Sequence, residues 1–534
     1  MVKHLFENTG ILLRLIVKRD RFRISIWLLS LSVLTFTVAA AFTDLYATQQ
    51  DRQAIAETMK NPAMNAMVGQ GYGLDNYTAG AMMAHQMLLF TAIAVAIMSI
   101  LLVARHTRAD EEDGRIEMIR SLPTGRLSPL HATILVICGT NVAVALIIGL
   151  GLSVLNIEGM GLEGSLLYGA ALGATGIFFT ALTAVFAQLS DSSRSTVGLS
   201  FAALGFAYLM RAVGDVGNET LSWFSPLGWI LGTQVYVNNY WWPILLTVGV
   251  ALLLAILAFY LSAIRDLGSG FLPSKPGRKH ASVFLRSPLG LTLRLQRTGL
   301  IAWAIGMYIL GVSYGSILGD LESFFEDIDS MKDLLTPVEG FSLTEQFITM
   351  IMSIMAMIST IPTLMAMLKL IGEERKSRTE HLLSRAISRT RLIGSSLIVS
   401  IVTGFVMLSL TTIGLWSASA VVMEDGISFG TLYSSAMVYL PAMWCMSGIA
   451  VLLIGIAPKA TSLTWIYLLY SFIVVYLGGL LQFPEWMRKL SPYGHIPQLP
   501  VEEINFMTLF LLTIIAVVLV IVGFIGYRRR DIEG

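Results

Sequence analysis

The chain has 534 residues, 55% of them hydrophobic and 13% charged, against roughly a quarter charged in ordinary soluble domains. So much apolar surface cannot be hidden from water inside one core, which leaves a lipid bilayer as the solvent. The net charge of +1 points to no nucleic-acid partner, and it is the sum of two opposed faces counted below.

In chain order, Leu5 to Val17 followed by Lys18, Arg19 and Arg21 reads as an interfacial helix held by basic anchors. The run from Phe22 to Phe42 has no small-residue cleavage site and is long enough to span, so it is expected to be retained as a first span. Similar stretches fall near 82–104, 130–155, 164–188, 196–213, 243–264, 300–318, 346–368, 393–421, 431–456, 462–482 and 506–526, twelve in all. An unpaired backbone group in hydrocarbon costs several kcal/mol, so each stretch must be helical. The expected class is an all-α polytopic membrane protein with twelve transmembrane helices. Cys138 and Cys445 lie inside these runs and read as packing residues, and Gly169-x-x-x-Gly173 as close helix packing. His85 and Arg211 lie near span ends and read as side chains reaching the interface. No Asp or Glu falls inside the apolar stretches, where an ion-coupled carrier usually needs one.

With a cytoplasmic N-terminus, the inner segments hold 30 of the 36 Lys and Arg and 14 acids, net +16, while the outer segments are net −15. The positive-inside rule then puts both termini in the cytoplasm, with Tyr527-Arg528-Arg529-Arg530 closing the last span on the inner face.

The chain also repeats itself. One inner loop reads Glu111-Glu112-Asp113-Gly114-Arg115-Ile116-Glu117, then Ser121 and Arg126; a second reads Glu373-Glu374, Arg378-Thr379-Glu380, then Ser384 and Arg389, at an offset of 263 from the Arg onward. Ser225-Pro226-Leu227-Gly228 matches Ser491-Pro492-Tyr493-Gly494, and Arg265-Asp266 matches Arg530-Asp531. Six spans per half make this a parallel repeat of two six-helix halves. The expected division is 1–267 for the first half, 268–298 for a cytoplasmic linker carrying Pro273, Pro276 and Pro288, and 299–534 for the second half.

No Gly-x-x-x-x-Gly-Lys-Ser/Thr phosphate loop occurs, and no soluble stretch is long enough for an ATPase domain. The seven histidines are scattered, and no metal or catalytic grouping stands out. Glu111 and Arg115, like Glu374 and Arg378, sit at i and i+4 with the acid first, a spacing that stabilises a short surface helix. Two such helices suit either a docking element for a soluble subunit that works as a dimer or plain juxtamembrane turns.

The Glu-Glu...Arg-x-Glu...Arg loop, the Ser-Pro-x-Gly segment and the stretch from Arg265 through Gly270 and Pro273 to Ser287-Pro288-Leu289-Gly290-Leu291 resemble type-2 ABC exporter permeases. The nearest branch is the double-length polyketide-antibiotic or tetronasin exporters, and the resemblance covers essentially the whole chain. It implies a permease in the bacterial plasma membrane, without an ATPase of its own, that exports hydrophobic drugs or antibiotics. Loops 108–126 and 371–391 would be coupling helices seated on two copies of a separate nucleotide-binding subunit, which would carry the ATP and Mg. The docking residues implied are Glu111, Glu112, Arg115, Glu117 and Arg126 with Glu373, Glu374, Arg378, Glu380 and Arg389. Two departures from the repeat are His495 where the first half has Trp229, and Lys376-Ser377 in place of a Gly114 equivalent.

For a hydrophobic small-molecule substrate, span two offers Met82, Met83, Met87 and Met98, and span eight offers Met350, Met352, Met355, Met357, Met365 and Met367 around Pro362. Phe201, Phe206 and Tyr208 in span five, and Trp465, Tyr467 and Tyr470 in span eleven, are candidate aromatic walls. The alternative for all of them is ordinary packing. An acidic amphipathic helix is expected from Leu321 to Leu335. Two other function classes remain open on sequence: an ion-coupled secondary drug carrier, and an antibiotic sensor or immunity membrane protein.

Overall fold

The computed structural model describes residues 5–46, 48–60, 62–217, 219–272, 279–319, 343–385, 387–423, 427–476 and 483–531. Among the described residues every regular element is a helix, and eleven helices are long and apolar enough to cross a membrane. The twelfth expected stretch is seen as helix Leu463–Tyr476, with its remainder outside the described residues. The expected acidic helix from Leu321 to Leu335 and the linker residues Pro273 and Pro276 also lie outside them. The chain forms two compact units, Met1–Pro276 and Gly277–Gly534.

The first unit is built on α1 (Thr9–Leu45), α2 (Ala79–Ala104), the short α3 (Arg115–Arg120), α4 (Ser128–Val154), α5 (Leu162–Leu189), α6 (Ser193–Gly217), the short α7 (Pro226–Leu231) and α8 (Trp242–Ile264). Helices α2 and α5 are its most buried spans and α8 its least. Gly169 on α5 lets the backbones of α4 and α5 meet, because a Cβ there would stand 2.1 Å from the Ala145 carbonyl oxygen. Deep between the spans, the buried Asn141 amide donates to Ser99 Oγ at 3.0 Å and to Thr180 Oγ1 at 3.4 Å, so a polar side chain in the apolar interior is satisfied.

One expectation is corrected by helix length. The N-terminal interfacial helix is not separate: α1 is one helix of 37 residues, roughly 55 Å at 1.5 Å per residue, far beyond a hydrocarbon core of about 30 Å. The surplus turns carry polar residues, so the helices hold acids that the apolar stretches lack, among them Asp20 on α1 and Asp215 on α6. Nor do His85 and Arg211 reach outward. His85 is buried between the Tyr77 hydroxyl, 2.9 Å from Nδ1, and the Gly69 carbonyl, to which Nε2–H donates at 3.0 Å. Arg211 is fully buried and donates to the carbonyls of Asn65, Ala66 and Met67 in the last turn of the short helix Pro62–Val68. Its charge is balanced by Asp215 at 3.1 Å.

The second unit comprises α9 (Pro288–Ile317), α10 (Leu343–Glu374), the short α11 (Arg378–Leu383), α12 (Arg389–Val422), α13 (Phe429–Met437), α14 (Leu440–Ile456), α15 (Leu463–Tyr476) and α16 (Phe506–Arg529). Helix α9 starts at Pro288, capped by Ser287, inside the stretch expected to be linker. Cys138 and Cys445 are free thiols, and Cys445 Sγ–H donates to the Leu512 carbonyl at 3.1 Å.

The repeated Ser-Pro-x-Gly segments have the same local design. Ser225 Oγ accepts from Leu227 N–H at 3.2 Å and Ser491 Oγ from Tyr493 N–H at 3.3 Å, each capping a short helix begun by Pro. Trp229 Nε1–H donates to the Trp223 carbonyl at 2.6 Å, and His495 Nε2–H to the Lys489 carbonyl at 2.7 Å, six residues back in both cases. The exchange of Trp for His therefore keeps the ring donor and its acceptor.

Candidate functional site

In the first unit α2 runs on through a wide π turn, Arg105–Ala109, into Asp110–Glu112, and breaks at Gly114, whose φ of 72° is the left-handed region glycine tolerates. Helix α3 follows. The loop is then tied down by the chain start: Gly125 N–H donates to the Glu7 carbonyl at 3.0 Å and Leu127 N–H to the Leu5 carbonyl at 2.9 Å. The second unit breaks between α10 and α11 at Ser377, with φ 53°. Ser377 stands 263 residues after Gly114, so the turn is kept although the glycine is not.

That break decides the ion pairs. Glu111 and Arg115 are on different helices, so the expected i,i+4 pairing does not form. Instead Arg115 pairs with Asp110 at 2.6 Å, and at the matching positions Arg378 pairs with Glu373 at 3.1 Å. Glu111 and Glu374 turn toward the last span of their own unit. Glu111 accepts from Arg265 at 2.9 Å and from Gly268 N–H at 2.6 Å, with Arg108 at 3.2 Å. Glu374 is buried and accepts from Arg530 and, at 2.6 Å, from the Tyr527 hydroxyl. The arginines that close the loops act likewise: Arg126 donates to the Arg265 carbonyl at 3.0 Å, and Arg389 to the carbonyls of Arg528 and Arg530. Each loop is thus clamped to the end of its unit's last span.

Other loop residues face outward. Glu112 caps α6 through Ser193 N–H at 2.8 Å but is exposed, and Glu117, Met118 and Leu122 are exposed on or just after α3. On the second loop Glu380, His381 and Arg385 are exposed. Arg120, partly buried at the end of α3, is held below the usual guanidinium value by burial and by Arg126 beside it.

A cluster that the sequence did not disclose lies beside the first loop. Asp20, fully buried on α1, meets His106 Nε2 at 2.6 Å, with Arg23 at 3.0 Å and Arg105 at 3.3 Å. Arg19 makes a two-pronged contact with Asp110 at 2.8 and 2.9 Å. Asp20 lies just before the expected span 22–42 and Asp110 just after 82–104, and the continuity of α1 through Asp20 brings it opposite the end of α2.

The candidate substrate-path residues are scattered. Met83 and Met98 are buried in the core of the first unit, and Met352 and Met355 in that of the second. Met87 is partly buried, while Phe206 is 65% exposed on α6. The Tyr208 hydroxyl donates to the Met67 carbonyl at 3.1 Å and its ring lies 4.7 Å under Arg211. Tyr467 and Tyr470 stack on each other and donate to the carbonyls of Leu490 and Met487 at 2.6 and 2.9 Å, holding the short helix Glu485–Lys489. Among the described residues, no group of acids, histidines and cysteines has the arrangement of a metal site.

The family model described as multidrug efflux system permease Rv1217c, C-terminal domain, matches residues 12–261 and 285–528. The chain is also 37% identical to the multidrug efflux system permease protein Rv1217c of Mycobacterium tuberculosis (strain ATCC 25618 / H37Rv), over 99% of this chain and 96% of that one. Matches on both sides of the inter-unit segment and over nearly the full length of each protein show that the chain belongs to the Rv1217c family of multidrug efflux permeases.

Proposed function

We propose that this chain is the membrane-spanning subunit of an ATP-driven exporter of hydrophobic drugs or antibiotics, of the type-2 ABC kind and its double-length antibiotic-exporter branch. The observation that carries the reading is the pair of loop helices, α3 and α11, each turned out by a left-handed residue and each clamped at its base to the last span of its unit. Glu112, Glu117 and Glu380, with Met118 and Leu122, are the surface offered to a separate nucleotide-binding subunit, in two copies, which carries the ATP and Mg. Glu111, Glu374, Arg126 and Arg389 act as anchors behind that surface, and Arg115, Glu373 and Arg378 set the tilt of the loop helices. Nucleotide-driven closure of the partner would push on both loops and move the spans fixed to them. The excess of basic residues on this face supports a plasma-membrane topology with both termini cytoplasmic. Met83, Met87, Met98, Met352 and Met355, with Phe206, Tyr208, Tyr467 and Tyr470, are retained as the proposed lining or support of the drug path.

Copurification with co-expressed genomic neighbours tests the partnership, and the expected companion is a stoichiometric subunit with a phosphate loop. Vesicles holding both should accumulate drug only with hydrolysable ATP.

A second reading, an ion-coupled carrier, gains one specific observation: Asp20 and His106 are a buried titratable pair. The matching residues of the second half are Gln296 and Lys369, so this pair has no counterpart there. Uphill transport by this chain alone, driven by a proton gradient and lost in Asp20→Asn, would favour the carrier over the ATP-driven subunit.

A further inference from the structure

Each unit has an apolar cleft at its loop end, between the start of its first helix and its loop helix. The volumes are about 230 Å³ in the first unit and 350 Å³ in the second. In the first, Leu12 and Leu15 of α1 face Ile119 of α3; in the second, Pro288 and Leu291 of α9 face Leu382 of α11. The first-helix residues differ by 276, the offset that also relates Trp27 to Trp303, and the loop residues differ by 263. Two clefts lined at matching positions in diverged halves are a feature of the fold and not a local packing fault.

We propose that these clefts are equivalent binding sites for an anionic phospholipid, an acyl chain lying on the apolar floor and the phosphate meeting the cations at the rim. Three observations carry this. The floor of the first cleft runs into an exposed apolar stripe on α1, through Leu15, Phe22, Ile26 and Leu29, so a chain can enter from the bilayer. At the second rim Lys369 and Arg378 share the single carboxylate of Glu373 at 3.5 and 3.1 Å, leaving one positive charge in excess and guanidinium donors unused. The first rim likewise sets two cations, Arg19 and Arg115, on Asp110 at 2.8 and 2.6 Å, but Arg115 also reaches the exposed Asp113 at 3.1 Å, which cancels the excess charge and makes the first site the weaker. The volumes lie at or below the lower end of the roughly 300–1,000 Å³ of drug pockets, which suits one acyl chain better than a bulky polycycle. Charge complementarity favours an acidic headgroup over a zwitterionic one, because the proposed topology, on which this argument rests, gathers most of the basic residues on the loop side. The proposal is independent of ATP coupling and goes beyond it.

The test is photolabelling of the full-length chain in phosphatidylcholine nanodiscs doped with phosphatidylglycerol bearing a diazirine in its acyl chain, with peptides mapped by mass spectrometry. Labelling is expected around 12–19 with 115–133 and around 288–296 with 378–396, competed by unlabelled phosphatidylglycerol and not by phosphatidylcholine or inorganic phosphate. Lys369→Gln should lower labelling at the second cleft about fivefold, the loss of one cation near an anionic lipid surface, and Leu382→Trp should block it by filling the floor. Labelling at the first cleft should be unchanged in both variants and so reports that the chain is folded. Equal labelling of these peptides by a phosphatidylcholine probe, or unchanged labelling in Lys369→Gln, would overturn the proposal.

Discussion

The Tyr527 hydroxyl donates to Glu374 at 2.6 Å across 153 residues of chain, joining the end of α10 to the end of α16. Because Glu374 is buried and also receives Arg530, Glu374→Gln breaks an ion pair and a charged hydrogen bond together. The expected cost is about 3–5 kcal/mol, against about 1.5–3 kcal/mol for Tyr527→Phe, which leaves Arg530 in place. Unfolding midpoints of the purified chain in one detergent check the order, and equal losses from the two substitutions would contradict it.

Charge reversal separates the outward acids from the clamped ones. Glu117→Arg combined with Glu380→Arg is expected to leave membrane abundance and thermal midpoint within the small range of surface substitutions, about 0.5 kcal/mol, while abolishing ATP-dependent drug accumulation. Retained transport together with normal ATPase association would remove both residues from the docking surface.

Ser377 sits at φ 53°, where a side chain is strained and Gly114 in the other half is not. Ser377→Gly is therefore expected to stabilise the second unit by up to about 1 kcal/mol, and Gly114→Ser to destabilise the first by a similar amount. Thermal denaturation should show opposite shifts for the two substitutions, and shifts of the same sign would refute the shared turn.

Met355 is wholly buried, so Met355→Ala combines any effect on drug selection with a cavity costing about 2–5 kcal/mol. Met355→Leu keeps the volume and should cost under about 1.5 kcal/mol. If Met355 borders the drug path, the leucine variant will change the pattern of drug resistance at normal abundance. An unaltered pattern in Met355→Leu returns the residue to plain packing.

Hydrophobic runs were enough to locate the spans, because a stretch such as 243–264 has no other way to satisfy its backbone in lipid, and α8 occupies Trp242–Ile264. They were not enough to locate helix ends. Thr9 to Arg21 and Pro288 to Arg297 are amphiphilic, and nothing local distinguishes a surface helix from the extension of a span. Spacing identified the two loops but mispaired their charges, since Glu111 and Arg115 look adjacent until Gly114 ends the helix between them. The partners of Glu111 and Glu374 come from residues 265 and 530, and no sequence pattern within a loop announces a contact so distant. Trp229 and His495 differ as side chains between the halves, yet each keeps a ring N–H on the carbonyl six residues back, which residue identity alone does not reveal.

The contact between Glu111 and Arg265 closes a ring of 154 residues around four membrane helices. A loop fastened in this way has little slack in which to dissipate a push. In the proposed exporter, a push on its tip would pass through this contact to the terminal helix of the same unit.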